Sequence, residues 1–222
     1  MSDVSRRDAL PEHIELVQSL VAAIVDRGLP ARGRTVGGVA GESGSGKSVT
    51  AVNLARALGD AGHPALVLHQ DDYFRLPPRT NHAEREANIS RVGPDEVNLA
   101  LLQSHVAAFR DGRASVDAPR TNYAADRFDV EHVDFNAAHV LVIEGTYVLG
   151  LDALDLRIFL EATYADTRDR RRTRARDVDS PFVERVLAVE HGIIARQAAM
   201  ADLLVSADFL VRAPMRMETR AH

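Results

Sequence analysis

The sequence predicts an α/β fold, a mainly parallel sheet flanked by helices, on three observations. Strand-like and helix-like patterns alternate along the chain, the arrangement that builds parallel sheets. A glycine-rich octapeptide, Gly41-Glu42-Ser43-Gly44-Ser45-Gly46-Lys47-Ser48, joins a β-prone run to a helical one. Short apolar runs such as 140–143 have the length and composition of buried strands.

The elements follow in order. Pro11 begins a helix with Ile14, Val17, Val21 and Ile24 on one face and Gly28 near its end. Residues 29–34 read as a connector, and 35–40 as the strand that feeds the glycine-rich loop. Beyond the loop, Ala51, Leu54, Ala55 and Leu58 recur at helical spacing until Gly59, Gly62 and Pro64. Residues 65–68 read as a second buried strand ending at His69-Gln70-Asp71-Asp72. The polar stretch 75–93 reads as a long loop with one short helix, a length that marks function or disorder. Residues 94–110 read as a helix with Val97, Leu101, Leu102, Val106 and Phe109 apolar and Gly112 as its stop. Residues 117–134 are polar and without period, hence irregular. The strand 140–143 runs into Glu144-Gly145, and 156–160 is the next strand. An arginine-dense helix covers about 166–176. Ser180 then caps, and Pro181 opens, a last long helix, and 209–211 reads as a closing strand. The whole reads as one domain over 1–222, with a helix and connector over 1–34 and a lid over about 166–181.

Composition narrows the function classes. Apolar residues make up 45% of the 222, enough for a sizeable core. A net charge of -5 argues against a general nucleic-acid binder, which carries a basic footprint. Without cysteine there is no disulfide framework, thiolate metal site or cysteine nucleophile. The first ten residues lack the apolar core of a secretion signal. No apolar run approaches the roughly 18 residues of a membrane helix. These features predict a cytoplasmic protein with neither nucleic-acid nor membrane partners, and they leave a homo-oligomer open. The nine histidines are scattered, with no metal-ligand spacing.

Residues 41–48 fit G-x-x-x-x-G-K-[ST] with a strand before and a helix after, the P-loop context. Gly41, Ser43, Gly44, Ser45 and Gly46 let successive backbone N–H groups converge on phosphate oxygens, and the helix dipole adds to the attraction. Lys47 would reach the β- and γ-phosphates, and Ser48 would offer a hydroxyl to Mg²⁺. Asp71 ends the second strand, on the sheet rim where ligands bind in open α/β folds. It would accept the proton of an attacking hydroxyl, help hold Mg²⁺, or cap a loop. Glu144, directly after the 140–143 strand, would sit near Mg²⁺ through water. Gly145 follows it, where a motor-type ATPase would place Glu. Neither an N-K-x-D nor an L-S-G-G-Q motif is present. Six arginines fall within nine residues, at 168, 170, 171, 172, 174 and 176. Some are solvated, and others would close over the phosphates; Arg171 and Arg174 are the candidates.

Taken in order, VAGESGSGKS, HQDDYF, VLVIEG, RRRTRARD and ADLLVSADFLV resemble the uridine kinase and phosphoribulokinase-like family of P-loop kinases, over about 35–211. HQDDYF and the arginines followed by Asp179-Ser180-Pro181 are locally similar to nicotinamide riboside kinases. The resemblance implies a five-stranded parallel sheet, a mobile lid, ATP and Mg²⁺ as cofactors, and phosphorylation of a hydroxyl on a small-molecule acceptor. It makes Asp71 the general base, Lys47 with Arg171 and Arg174 the γ-phosphate clamp, and Ser48, Asp71 and Glu144 the metal site. Tyr73, Asn98, Tyr123, Asp126 and Arg127 become the acceptor-pocket candidates. Two departures put uridine in doubt: Asn98 stands where the family carries Asp, and 118–127 lacks the expected His. The leading expectation is a ribonucleoside acceptor. The alternatives are pantothenate, a sugar or sugar phosphate, a hydroxy acid, or a nucleotide-binding regulator without transfer.

Overall fold

Strand order explains why distant residues share one rim. In the computed structural model, which describes residues 11–29, 33–168 and 180–214, six strands form the main sheet. They are β1 (Thr35–Gly41), β2 (Ala65–His69), β5 (Val140–Gly145), β6 (Leu156–Leu160), β7 (Leu203–Val205) and β8 (Val211–Arg212), in the order β2-β5-β1-β6-β7-β8. The first five strands are mutually parallel, and β8 closes the edge antiparallel to β7. Of the closing strand expected at 209–211 only Val211 belongs to a strand, β8, and β7 before it was not expected; a turn joins β7 and β8. Phe209 takes a left-handed φ of 62° in the turn between them, which removes it from any strand.

The five helices are α1 (Pro11–Asp26), α2 (Lys47–Asp60), α3 (Pro78–Ala87), α4 (Leu99–Arg110) and α5 (Pro181–Ile194), among the described residues. Alternation along the strands sends side chains to two cores. Leu141 and Ile143 join Phe109, Phe135 and Ile194 on one face. Val140 and Val142 join Leu16, Leu20, Leu54 and Leu58 from α1 and α2 on the other. Both faces are covered, as a parallel sheet requires. No helix among the described residues is long and apolar enough to cross a membrane.

Two irregular stretches prove ordered. The 75–93 stretch is built around α3, opened by Pro78 at its first position. The 117–134 stretch is an antiparallel hairpin, β3 (Ser115–Asn122) with β4 (Arg127–Asp134). The helix expected at 94–110 starts later, at Leu99, because Pro94–Glu96 forms a separate 3₁₀ turn.

One connector residue ties these layers together. Arg34 donates from Nη1 to the carbonyls of Phe109 (2.7 Å) and Arg113 (2.9 Å), and from Nη2 to that of Phe135 (3.0 Å). Its guanidinium lies 4.8 Å from the Phe109 ring centroid. Removing a charged donor strands those carbonyls, so Arg34→Ala should cost about 2–3 kcal/mol. Denaturant unfolding would read this, and an unmoved midpoint would refute it.

Candidate active site

The rim is set by register. Parallel pairing puts Ala40 opposite Gly145 and His69 opposite Glu144. The ends of β1, β2 and β5 therefore lie side by side, and the glycine-rich loop, Asp71 and Glu144 emerge together.

The loop runs from β1 into α2. Gly46 is the helix N-cap with φ 98°, a left-handed geometry that glycine takes without strain, and no side chain caps the helix start. The first N–H groups of α2 are thus left for an outside acceptor. Ser45 Oγ is buried and, among the described residues, without a hydrogen-bond partner. Glu42, a variable position of the motif, is itself buried. It accepts from the backbone N–H of Tyr164 (2.7 Å) and lies 2.6 Å from His191 Nδ1. Thr167 Oγ1 donates to the Ser43 carbonyl at 3.1 Å. The loop is thereby tied to both flanks of the arginine-rich segment.

Asp71 sits in the 3₁₀ turn Gln70–Tyr73, whose anchor is Gln70. Gln70 Nε2 donates to Thr146 Oγ1 (3.0 Å), and Gln70 Oε1 accepts from Tyr147 N–H (2.7 Å). Asp72 accepts from Thr121 N–H (2.8 Å) and Arg120 Nη1 (3.1 Å), fixing the turn to β3. The Asp71 side chain is open to the water of the cleft yet enclosed by protein on most sides. That partial loss of water raises its carboxyl pKa above the ordinary 3.8. Glu144 and Asp72 push the same way, and Lys47 and His69 oppose.

Glu144 is almost wholly buried, 2.7 Å from His69 Nδ1. Burial works against its charge, but the His69 hydrogen bond, the nearby Lys47 ammonium and, least, the Ser48 hydroxyl hold its pKa below the ordinary value. The pKa of His69 is raised in turn: burial lowers it, and Glu144 more than compensates. The second oxygen of Glu144 is buried without a partner among the described residues. Ser48 and Glu144 therefore leave donor atoms on the rim that suit a hard cation. No cluster of three or more His, Asp or Glu that could hold a metal exists among the described residues. Mg²⁺ would thus complete its shell with phosphate oxygens and water, its usual habit.

A cavity of about 210 Å³ opens beside the loop. Lys47, Asp71, Asn81, Arg85, Thr146 and Glu190 supply its polar lining, and Phe74, Leu76, Tyr123 and Phe128 its apolar walls. Arg85 makes two bonds to Glu96, Nε to Oε1 at 2.6 Å and Nη2 to Oε2 at 2.8 Å, and a third from Nη2 to Glu190 Oε1 at 3.0 Å. Burial pushes the Glu190 carboxyl up, against the pull of Arg85 and Lys47.

Of the five expected pocket residues, Tyr123 alone lines this cavity. Tyr73 is buried, its hydroxyl 2.9 Å from His105 Nδ1. Asn98 accepts from Leu101 N–H (3.2 Å) as the cap of α4. Asp126 accepts from Arg79 N–H (2.7 Å) and Thr80 Oγ1 (3.0 Å) at the start of α3. Arg127 pairs with Asp129 at 2.8 Å on the hairpin surface. Arg171 and Arg174 lie outside the described residues.

Asn81, Arg85, Phe128 and Glu190 were not singled out from sequence. For Glu190 a signal exists. It falls on the buried stripe of α5, with Val186, Leu187 and Ile194. A carboxylate at such a position is a buried charge that calls for a reason.

The family model described as Phosphoribulokinase / Uridine kinase family matches residues 36–186. The bifunctional alpha-galactosidase/sucrose kinase AgaSK of Mediterraneibacter gnavus is 31% identical over 192 residues, covering 80% of this chain. This chain spans 20% of the length of that protein. Uridine kinases of Staphylococcus aureus are 31% identical over 157 residues, covering 66% of this chain and 73% of theirs. A solved structure provisionally assigned as a fructose transport system kinase, from Silicibacter sp., superposes with a TM-score of 0.62 at 25% identity, covering 83% of this chain and 93% of that one.

Proposed function

The chain belongs to the phosphoribulokinase/uridine kinase family, and from that premise we propose that it is an ATP-dependent kinase phosphorylating a hydroxyl of a small metabolite of ribonucleoside or sugar type. The supporting observation is the meeting of Lys47 and Asp71 in one cavity, with Glu144 on the adjoining strand end. The sugar reading stands beside the ribonucleoside one because the sucrose kinase protein and the uridine kinases are each 31% identical to this chain, the former over 192 residues and the latter over 157. It also draws on the pocket, since four of the five residues expected to hold a ribonucleoside have other positions or partners.

The chemistry follows from the lining. Gly41, Ser43, Gly44, Ser45 and Gly46 would wrap the nucleotide phosphates with backbone N–H groups. Lys47 would neutralise charge on the transferred group, and Ser48 and Glu144, with Asp71 at the rim, would hold Mg²⁺. Bound Mg-ATP supplies the electrophilic phosphorus. Asp71 takes the proton as the acceptor oxygen forms its bond to phosphorus, while the bond to the bridging oxygen breaks and ADP leaves. Catalysis of this kind rests on positioning and electrostatics. The ties of Gln70 and Asp72 serve that positioning.

The test is ADP release with Mg-ATP over a panel of ribonucleosides, sugars, sugar phosphates, pantothenate and glycerate, with products identified by mass spectrometry. One acceptor should stimulate release, and Lys47→Ala should reduce it by roughly a hundredfold or more. Silence across the panel, or undiminished release in the variant, would overturn the reading.

A further inference from the structure

We propose that Arg85 and Glu190 are the acceptor-recognition pair of the cavity and restrict it to neutral acceptors that carry adjacent hydroxyl groups. The inference rests on the kinase reading and narrows its substrate class.

Arg85 cannot swing to meet an arbitrary ligand. Glu96 grips it through two bonds, and Glu96 is itself fixed by Gly93 N–H (2.9 Å) and Asn81 Nδ2 (3.0 Å). The guanidinium also lies 5.8 Å from the centroid of the Phe74 ring. A planar donor held in this way is pre-organised for what it binds. The charge of Arg85 is already matched by Glu96, so Glu190 is a surplus carboxylate. It occupies a helix stripe that would otherwise be apolar, at a desolvation cost. Such a group needs a use.

The free valences indicate that use. Among the described residues, Arg85 Nη1 and Glu190 Oε2 have no hydrogen-bond partner, and both residues line the cavity that Asp71 lines. A donor beside an acceptor suits a hydroxyl, which both gives and receives a hydrogen bond. Two neighbouring hydroxyls would satisfy the pair, while a third reaches Asp71. The aromatic walls, Phe74, Tyr123 and Phe128, would cover the C–H face of a sugar ring or a flat base.

The same pair argues against anions. With Arg85 shared between Glu96 and Glu190 as ion pairs, the cluster holds one positive and two negative charges. It offers no surplus positive charge to a carboxylate or phosphate on the acceptor. Such a group would have to lie against Glu190 in a poorly hydrated site.

The experiment compares wild type with Glu190→Gln and Glu190→Asp, using neutral acceptors (ribonucleosides, fructose, sucrose) and anionic ones (glycerate, ribulose 5-phosphate). Melting temperatures and KM for Mg-ATP monitor folding and the nucleotide site. Wild type should phosphorylate a neutral acceptor. In Glu190→Gln the KM for that acceptor should rise about tenfold or more, the scale of a hydrogen bond to a charged group. In the same variant kcat/KM for anionic acceptors should rise relative to wild type, since the repulsion is gone. A merely structural role would lower both alike. Glu190→Asp keeps the charge but shortens the reach, so it should raise the neutral KM without helping the anions. Preference of wild type for an anionic acceptor, or an unchanged neutral-to-anionic ratio in Glu190→Gln, would overturn the proposal and leave the kinase reading standing. Failure of every acceptor while Mg-ATP still binds would overturn both.

Discussion

Asp71→Asn should lower kcat by roughly 10²–10⁴, the range typical of a lost general base, while Mg-ATP binding survives. Asparagine is isosteric, so the turn held by Gln70 and Asp72 keeps its bonds to Thr146, Tyr147, Thr121 and Arg120. The loss should therefore fall on turnover rather than on KM for the nucleotide. Fluorescent-nucleotide binding together with single-turnover phosphoryl transfer separates the two, and wild-type turnover in the variant would remove Asp71 from the mechanism.

The shift in Asp71 adds a pH signature. Its pKa is raised in the folded protein by loss of water, with Glu144 and Asp72 assisting. A base must be deprotonated to act, so the acid limb of kcat/KM should lie above the ordinary carboxylate value of 3.8. That limb should disappear from any residual activity of Asp71→Asn. For stability the sign is reversed. A carboxyl with a raised folded-state pKa contributes most below its unfolded pKa, and the contribution is lost as pH rises through the folded value. At neutral pH the variant should consequently melt no lower than wild type. A residue placed for chemistry rather than for the fold behaves in this way.

The parts of the site that were legible in the sequence are those written locally. The glycine-rich loop, Asp71 and Glu144 each follow directly from an apolar strand, and a strand end in a parallel sheet has one place to point. The hairpin was illegible for a physical reason. Of the residues of β3 and β4, only Ala118 is buried, so neither face carries the apolar alternation that announces a strand. Its polar side chains instead serve non-local ties, such as Thr121 Oγ1 to the Asp71 carbonyl and Asp126 to the start of α3. Arg85 was hidden in the same way. It sits in a polar helix, and its partners lie 11 and 105 residues away. The resemblance to known kinases carried the family, while four of the five residues it offered for the pocket have other positions or partners. There this chain uses Asn98 as a helix cap and brings Arg85 and Glu190 to the cavity.

Gly145 is a second place where one residue should matter greatly. In the sequence it registers as the end of VLVIEG and as the absence of a glutamate after Glu144. In the fold it is the point where the end of β5 meets the turn that carries Asp71. A Cβ at 145 would lie 2.3 Å from Gln70 Cβ and 2.7 Å from its Oε1. Gln70 is fully buried, and both ends of its carboxamide are committed, to Thr146 Oγ1 and to Tyr147 N–H. It cannot rotate clear without abandoning those bonds, and the closest approach is between β-carbons, which no rotamer relieves. Overpacking typically costs about 1–3 kcal/mol, and each buried polar group left unpaired about 1–3 more. Gly145→Ala should thus lose on the order of 3–5 kcal/mol, a large part of the roughly 5–15 that hold a domain together. Because any relief must displace Gln70, the neighbouring Asp71 moves too, and the folded fraction should also show reduced kcat. Gln70→Ala should fail to rescue the variant, since it retains the clashing β-carbon. Gly150→Ala, where a Cβ meets nothing within 4 Å, should be tolerated. Denaturant unfolding of these four proteins separates the possibilities: wild-type stability in Gly145→Ala, or rescue by Gln70→Ala, would show that the two strand ends do not approach as described.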